Sequence, residues 1–282
     1  PFIVDIGNHK PIGIFAGSGR AAVIDEEGFI YSPTPHHSNE YDRDPPYKFV
    51  QLKLPFNEKA ISVACCNNYL VALSNRGKVF ANGTMNYQSK AGIKETHFAR
   101  IDEFRGIRII HISGTYEHCI AVSIDGRVFA VGANNVHQLG LGNVINRLKN
   151  NPPENSHYRY DWFDNFTQLI SVHFSETSKI VAAYAGRDFS FFVAEDGKLY
   201  ACGSNYYRQL FSDNNPNTKE SYDIPIETTI TNGTTFVIAG NHFAVALVGC
   251  QPMKYMPNLP VGKVIEETVE SLEVTISILQ AQ

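Results

Sequence analysis

One short pattern recurs four times along this chain, and the recurrence limits the possible folds more than any single residue does. Each copy is an apolar run, a polar residue followed by glycine, and an alternating run with an aromatic residue near its end. The copies centre on Gly28, Gly77, Gly126 and Gly197. A polar-Gly pair between two such runs is a strong β-hairpin signal, and glycine adopts positive φ without steric cost. The chain is therefore predicted to be an array of hairpins.

The spacing of the turn glycines indicates the architecture. Successive glycines are 49, 49 and 71 residues apart, from positions 28, 77, 126 and 197. This period is too long for helical-hairpin solenoids and fits the four-stranded blades of a β-propeller. A fifth first-strand copy, residues 236–240 followed by 244–247, has no hairpin partner after it. We expect an all-β propeller of about five blades, either closed as a small ring or part of a larger one.

The two ends of the array predict one composite blade. Residues 2–6 look like the last strand of a unit whose earlier strands are missing, and residues 237–247 look like first strands without an end. Propellers commonly combine terminal strands in one blade, because this removes open sheet edges. We therefore expect the two segments to pair in one sheet, which then lacks a clear third strand.

The repeat resembles the regulator of chromosome condensation repeat family. That family's repeat reads roughly as small-Gly, an apolar strand, Asp-Gly, Lys/Arg-Val-Tyr/Phe, small-x-Gly-x-Asn and Gln-Leu-Gly-Leu-Gly. Residues 114–142 match almost throughout and residues 186–210 match well, whereas residues 60–83 match less well and the first unit matches least. The resemblance extends over about residues 10–248. It implies a propeller, usually of seven blades, that acts by binding other proteins.

Composition and charge exclude several classes of function. The net charge is -4, so no electrostatic footprint for nucleic acid is present. No apolar run reaches the length of a membrane-spanning helix. The five cysteines form no C-x-x-C pair, and buried free thiols are typical of a reducing compartment. We expect an intracellular protein, cytoplasmic rather than nuclear, without a cofactor. His36 and His37 have no further ligands at useful spacing, so no metal site is expected either.

The long interval between Gly126 and Gly197 contains an insertion of 22 residues, the difference between 71 and 49, within about residues 143–166. Long loops in compact domains are usually functional or disordered, and Tyr, Trp and Arg dominate binding hot spots. The predicted partner-binding residues are Tyr158, Arg159, Tyr160, Asp161, Trp162 and Phe163. The alternative is that Trp162 and Phe166 pack onto the blade where its last strand begins.

His118 and the acidic turn residues have structural explanations. His118 lies near the position where the family often has histidine, and a buried, hydrogen-bonded histidine is the preferred interpretation. Asp25, Asp125 and Asp196 lie at turns, where side-chain to backbone hydrogen bonds explain them. No phosphate-binding, zinc-protease or nucleophile-elbow motif occurs. No catalytic residue is therefore assigned.

The C-terminal tail differs from the repeats. We divide the chain into a propeller at residues 1–250 and a linker with a helix at residues 251–282. Apolar residues at helical spacing predict a helix over about 263–279 that pairs with another chain or domain. The stripe consists of Ile265, Val269, Leu272, Ile276 and Leu279. The β-branched run from Val274 to Ile278 leaves a strand open as the alternative.

These observations favour a protein-binding propeller without covalent chemistry. The family resemblance implies a regulator or scaffold for a small GTPase, similar to a guanine-nucleotide exchange factor, in which loops on one face displace the nucleotide. No loop matches the family's functional positions one by one, so no exchange residue is assigned. The alternative is a structural or adaptor module of a larger assembly with no GTPase activity.

Overall fold

A computed structural model gives the fold of the chain. It describes residues 6–18, 20–33, 49–83, 97–142, 162–169, 174, 179–212, 220–230, 233–249 and 275–278. These residues form five antiparallel sheets, which we number as blades 1 to 5 in chain order. Two single turns of 3₁₀-helix, Pro55–Asn57 and Asp102–Phe104, lie between the strands. The predicted all-β propeller is confirmed, and five blades fit the prediction.

The strands follow one another within each blade. Blade 1 contains β1 (Pro11–Ala16), β2 (Ala21–Asp25), β3 (Ile30–Pro33) and β4 (Phe49–Leu52). Blade 2 contains β5 (Ala60–Cys65), β6 (Tyr69–Ser74), β7 (Val79–Gly83) and β8 (Ala99–Arg100). Blade 3 contains β9 (Ile109–Thr115), β10 (His118–Ser123), β11 (Val128–Ala133) and β12 (Trp162–Gln168). Blade 4 contains β13 (Ile180–Ala185), β14 (Phe189–Ala194), β15 (Leu199–Ser204) and β16 (Ser221–Glu227). Blade 5 contains β17 (Thr234–Ala239), β18 (Ala244–Val248) and β19 (Thr275–Ile278).

The repeated glycines form the tips of the second hairpin in blades 1 to 4. Gly126 and Gly197 have φ of +84° and +83°, which only glycine adopts freely. Their N–H groups donate to the carbonyls of Ser123 and Ala194 at 2.9 Å. The Asp25 carboxylate accepts the N–H groups of Glu27 and Phe29 at 3.0 and 2.9 Å, as the turn interpretation predicts. Local turn chemistry thus sets the register of each hairpin.

The core lies between the blades. Four apolar clusters form, one for each pair of consecutive blades. Phe104, in the link before blade 3, shows the packing, since its ring lies 5.3 Å from Phe129 and 4.8 Å from Phe166. Each sheet is therefore apolar on the faces that meet its neighbours, as expected for layered β structures. Burial between neighbours fixes the blades into one continuous array.

The predicted C-terminal helix is not supported. Residues 275–278 form β19, which pairs antiparallel with β18 through Val245 opposite Ile278 and Val248 opposite Thr275. The physical reason is that β-branched residues favour strands and that β18 otherwise ends the sheet as an unpaired edge. The remaining residues of the predicted helix lie outside the described residues. The fifth sheet therefore has a third strand, which matches the alternative raised for the β-branched run.

The predicted pairing of residues 2–6 with blade 5 cannot be placed on the structure. Residues 1–5 lie outside the described residues, and Ile6 is not in a strand. The pairing stays a prediction, as does the domain boundary near residue 250. The described strands form a succession from blade 1 to blade 5, each packed on the next.

Candidate partner-binding face

Strand direction divides the propeller into two faces. Because consecutive strands are antiparallel, the first and third connections of each blade emerge at one end, and the glycine turns emerge at the other. We call these ends the loop face and the turn face. Hydrogen bonds join neighbouring blades along the loop face: Asn67 N–H donates to the Tyr116 carbonyl at 2.6 Å, and Arg187 N–H to the Gly240 carbonyl at 3.1 Å. The loops thus form one connected surface.

An Asn-x-x-x-Gln-Leu segment builds the same loop after the third strand of blades 3 and 4. The Oδ1 atoms of Asn134 and Asn205 accept the N–H of Leu139 and Leu210 at 3.0 and 3.1 Å. Both asparagines are buried, with 1% and 3% of their surface exposed. A buried donor left without an acceptor would be costly, so these side chains fix the loop. The repeat's conspicuous Asn is a structural residue.

The glutamine of the same segment closes each loop from the inside. Gln138 Oε1 accepts the N–H of Val136 at 3.1 Å, and Gln209 Oε1 accepts the N–H of Tyr207 at 2.9 Å. The residue before each glutamine has positive φ, +69° at His137 and +58° at Arg208. We call the buried Asn, Gln and Leu of each segment the loop frame. The three residues between Asn and Gln are therefore held in a fixed shape.

Blade 4 presents an aromatic pair on its loop frame. Tyr206 is 66% exposed and Tyr207 is 43% exposed, with the ring centroids 5.0 Å apart in edge contact. Tyr207 also packs against His242 of blade 5 at 4.5 Å. Large exposed aromatic side chains on a rigid support are typical of binding surfaces. Together with the exposed Arg208, these residues form what we call the aromatic patch, defined as Tyr206, Tyr207, Arg208 and His242.

Charged residues lie next to the aromatic patch in the first loop of blade 4. The Arg187 guanidinium lies 5.0 Å from the Tyr116 ring centroid, and its Nε lies 3.5 Å from Asp188 Oδ2. Burial raises the pKa of Asp188, although the charges of Arg187 and His242 act to lower it. Burial and the charge of Asp188 raise the pKa of Glu117, although the charge of Arg187 acts to lower it. The loop face therefore combines aromatic rings with closely spaced charges of both signs.

His118 is a buried structural residue, as predicted. Its Nε2 lies 2.9 Å from Ser190 Oγ, and that hydroxyl donates to the Gln138 carbonyl at 2.6 Å. Because the Ser190 hydroxyl donates its hydrogen to this carbonyl, the hydroxyl oxygen accepts a hydrogen bond from the Nε2–H of His118. Burial lowers the pKa of His118 to about 4. The ring is neutral near pH 7 and links blade 3 to blade 4.

The predicted binding stretch is only partly described. Tyr158, Arg159, Tyr160 and Asp161 lie outside the described residues, so their role stays a prediction. Trp162 begins β12 opposite Ala133, at the loop-face end of blade 3.

Phe163 and Phe166 are each 7% exposed and belong to the apolar clusters between blades. The burial of Phe166 matches the alternative raised for Trp162 and Phe166. Phe163 is buried in the same way, and its part in partner binding stays a prediction. The insertion between Gly142 and Trp162 is attached at the loop face.

Sequence reasoning missed the aromatic patch. The repeat motif includes the frame residues Asn205 and Gln209, whereas the residues between them are not part of the motif. The available signal was the replacement of Asn135-Val136 in one frame by Tyr206-Tyr207 in the next. The contact with His242 depends on the neighbouring blade, and no local pattern indicates it.

No group of three or more His, Cys, Asp or Glu side chains within the described ranges could hold a metal ion. No helix among these residues is long and apolar enough to cross a membrane. The described cysteines, Cys65, Cys66, Cys119 and Cys202, are free and buried.

Comparison with known proteins shows which family the repeats resemble. A model of the regulator of chromosome condensation (RCC1) repeat matches residues 125–193, and a second model of this repeat matches residues 180–209. The ultraviolet-B receptor UVR8 of Arabidopsis thaliana is 30% identical over 178 residues, 62% of this chain and 36% of the receptor. Protein pim1 of Schizosaccharomyces pombe is 27% identical over 153 residues, 51% of this chain and 27% of pim1. The chain thus spans about a third of the length of these relatives or less.

A solved propeller has the same fold. Prp20p from Saccharomyces cerevisiae, whose binding to Gsp1p and histones has been characterised, superposes with a TM-score of 0.63 at 17% identity. The alignment covers 94% of this chain and 61% of Prp20p. Together with the repeat matches, this shows that the chain resembles the regulator of chromosome condensation repeat family and has a β-propeller fold.

Proposed function

We propose that this propeller binds a small GTPase through its loop face and regulates it in the manner of a guanine-nucleotide exchange factor. The observation that supports the proposal is the aromatic patch on the blade 4 loop frame, where Tyr206 and Tyr207 are exposed on a rigid support. The family resemblance supports the class of partner. Prp20p, with the same fold, binds Gsp1p and histones. The net charge of -4 favours a protein over nucleic acid as the partner of this chain.

The mechanism needs no nucleophile. Exchange requires loops that insert between the GTPase and its bound nucleotide and metal, and the binding energy then favours the nucleotide-free form. The loop face offers fixed aromatic rings for apolar contact. Arg187, Asp188 and Glu117 lie beside them and provide charges for orientation. The predicted residues Tyr158 to Asp161 belong to an insertion whose described ends, Gly142 and Trp162, lie at the same face, and we propose that they take part in the same contact.

A nucleotide-release assay tests this function. The chain is mixed with a panel of small GTPases loaded with a fluorescent GDP analogue, and release is followed by the loss of fluorescence. We expect faster release from one member of the panel. The double variant Tyr206→Ala/Tyr207→Ala should accelerate release at least tenfold less than the unmodified chain. The reason is that aromatic residues at binding hot spots contribute about 1–3 kcal/mol to the binding free energy. Val136→Ala, at the equivalent position of blade 3, is the matched control.

The same assay separates exchange from the adaptor alternative. If the chain binds a GTPase without changing the release rate, it is a scaffold. If it binds none, the GTPase proposal is wrong. Tyr158→Ala/Tyr160→Ala should weaken binding without lowering the melting temperature; unchanged binding with a large fall in melting temperature would show that these residues pack instead.

We also propose a cytoplasmic location. The four described free thiols are buried, which fits a reducing compartment. Cell fractionation with an antibody to the chain tests this, and recovery with nuclei or in the medium would contradict it.

A further inference from the structure

Basic residues recur at one structural position on the turn face. The residue immediately before the first strand is Lys or Arg in blades 1 to 4, namely Lys10, Lys59, Arg108 and Lys179. All four residues are exposed. In each blade the carbonyl of this residue accepts an N–H from the glycine turn of the same blade, at 2.7–3.0 Å. The repeat therefore holds four cations at equivalent positions on one face.

The turn residue beside each cation differs between the outer and the middle blades. The N–H donor is Glu26 in blade 1 and Glu195 in blade 4, so an acidic residue lies next to the cation there. The donor is Asn75 in blade 2 and Ile124 in blade 3. None of the four cations forms an ion pair within the part of the chain that the structure describes. Only the middle two therefore lack an acidic residue at the neighbouring turn position.

The cations of blades 2 and 3 lie against one hairpin. The stem of Arg108 packs on the turn of blade 2, because a Cβ added to Gly77 would lie 2.5 Å from the Arg108 Cγ. Arg76 belongs to the same turn, and its guanidinium lies 3.6 Å from the carboxylate of Glu58, the residue before Lys59. Lys59, Arg76 and Arg108 thus form a continuous surface, which we call the basic strip.

The one carboxylate beneath the basic strip does not cancel its charge. The Glu58 side chain is fully buried and contacts two cations, Lys78 at 2.6 Å and Arg76 at 3.6 Å. The shorter contact goes to Lys78, and the Arg76 side chain remains 66% exposed. The strip therefore presents positive charge to the solvent.

Two exposed apolar residues lie at the ends of the basic strip. Phe56, three residues before Lys59, is 72% exposed. Ile124, whose N–H donates to the Arg108 carbonyl, is 50% exposed. Phe56 also has a φ of +60°, which is an outlier for a residue with a bulky side chain. Because burial of the ring does not offset this strain, the conformation of Phe56 is typical of a functional residue.

We propose that the basic strip binds an acidic segment of a partner protein in which Asp and Glu alternate with large apolar residues. The carboxylates of the segment pair with Lys59, Arg76 and Arg108. Its apolar side chains pack on Phe56 and Ile124. Charge complementarity of this kind selects the partner and speeds association. The contact lies on the turn face, opposite the aromatic patch, and is independent of it.

Acidic residues on both sides of the basic strip favour a narrow partner over an extended anionic surface. The turn of blade 1 has Glu26 and Glu27, and the turn of blade 4 has Glu195 and Asp196, all exposed. A lipid bilayer or a DNA duplex would bring its phosphates against these turns as well, and like charges repel. A single peptide segment needs to contact the strip alone.

Fluorescence anisotropy with synthetic peptides tests the proposal. The probe is a labelled peptide in which Glu and Asp alternate with Leu and Phe, and the control peptide has Gln and Asn in place of the acids. Lys59→Glu/Arg108→Glu should weaken binding of the acidic peptide by about tenfold or more. Lys10→Glu/Lys179→Glu is the matched control, because it makes the same change of charge at equivalent repeat positions. It should change binding by less than about twofold, since salt screens charges outside the strip.

Two further variants separate charge from folding and from the loop face. Lys59→Gln/Arg108→Gln removes the charges and keeps most of both stems, so it should fold as judged by circular dichroism and still weaken binding. Tyr206→Ala/Tyr207→Ala should leave peptide binding unchanged, whatever its effect on nucleotide release. Equal losses in the two charge-reversal variants would overturn the proposal. Equal binding of the two peptides, or tighter binding of phosphatidylserine vesicles or of a DNA duplex than of the acidic peptide, would also overturn it.

Discussion

The third-strand loops of blades 3 and 4 have one frame and different exposed residues. In both, a buried Asn holds a Leu N–H, a buried Gln holds the N–H of the second residue of the loop, and the third residue has positive φ. Blade 3 places Asn135 and Val136 on this frame, and blade 4 places Tyr206 and Tyr207. The difference shows that the family motif encodes a shape, whereas binding depends on the residues that the motif leaves free.

The largest loss of stability should come from substituting the glycine that precedes each loop frame. Gly132 and Gly203 have φ of +105° and +96°, and an added Cβ would collide with the carbonyl oxygens of Glu117 and Asp188. Gly132→Ala and Gly203→Ala should each lower the free energy of unfolding by about 3 kcal/mol, measured by urea denaturation. Gly106→Ala is the control, since Gly106 has φ of +80° but open space around it. Equal losses in all three variants would show that φ alone is responsible.

Substituting the asparagines of the loop frame should cause the next largest loss of stability. Asn134→Ala and Asn205→Ala each remove the acceptor of a buried Leu N–H, so we expect each to destabilise the protein by about 2 kcal/mol. Asn135→Ala, at an exposed position of the same loop, should change stability by less than about 0.5 kcal/mol. If Asn134→Ala were as mild as Asn135→Ala, the frame would not depend on this hydrogen bond.

Transplanting the exposed residues sharpens the comparison further. Asn135→Tyr/Val136→Tyr should fold normally, with a stability change within about 0.5 kcal/mol, because these positions project from the frame. Added to Tyr206→Ala/Tyr207→Ala, the graft should not restore partner binding, since blade 3 lacks the neighbouring His242 contact. Binding is measured by calorimetry with the GTPase identified in the release assay. Full restoration would mean that the two tyrosines act without their surroundings.

The smallest effect concerns the charges beside the patch. Glu117 has a raised pKa in the folded protein, so above its unfolded pKa the ionised form destabilises the fold. Glu117→Gln should therefore be slightly more stable at pH 7, by less than about 1 kcal/mol, as is usual for partly exposed charges. The gain should vanish as the pH falls below the ordinary range for glutamate, where both states are protonated. Thermal unfolding at pH 7 and near pH 3 measures this gain in stability. A larger gain at the lower pH would contradict a raised pKa of Glu117 in the folded protein.

Features with local chemistry were predictable from the sequence. The Asp125-Gly126 turn needs only a glycine with positive φ and a short hairpin around it. Both features can be read from four adjacent residues of the sequence. The buried role of His118 followed from its place in the repeat. By contrast, the burial of Phe163 was not predictable, because the insertion hides where β12 begins. Residues 275–278 lie within a longer stripe of apolar residues at helical spacing, and their β-branched run left a strand open; the edge of β18 that decides for the strand lies outside any local pattern.

The hydrogen bonds on the turn face have a consequence for synthesis of the protein. The carbonyl of Gly28 accepts the N–H of Ala60, Gly77 that of Ile109, and Gly197 that of Thr234, at 2.9–3.1 Å. Blades 1, 2 and 4 thus each offer an acceptor at the hairpin tip to the start of the next blade. We expect the chain to fold progressively as it leaves the ribosome, with every completed sheet serving as the template for its successor. In that order of events, the last sheet to emerge would wait longest with its apolar side unprotected.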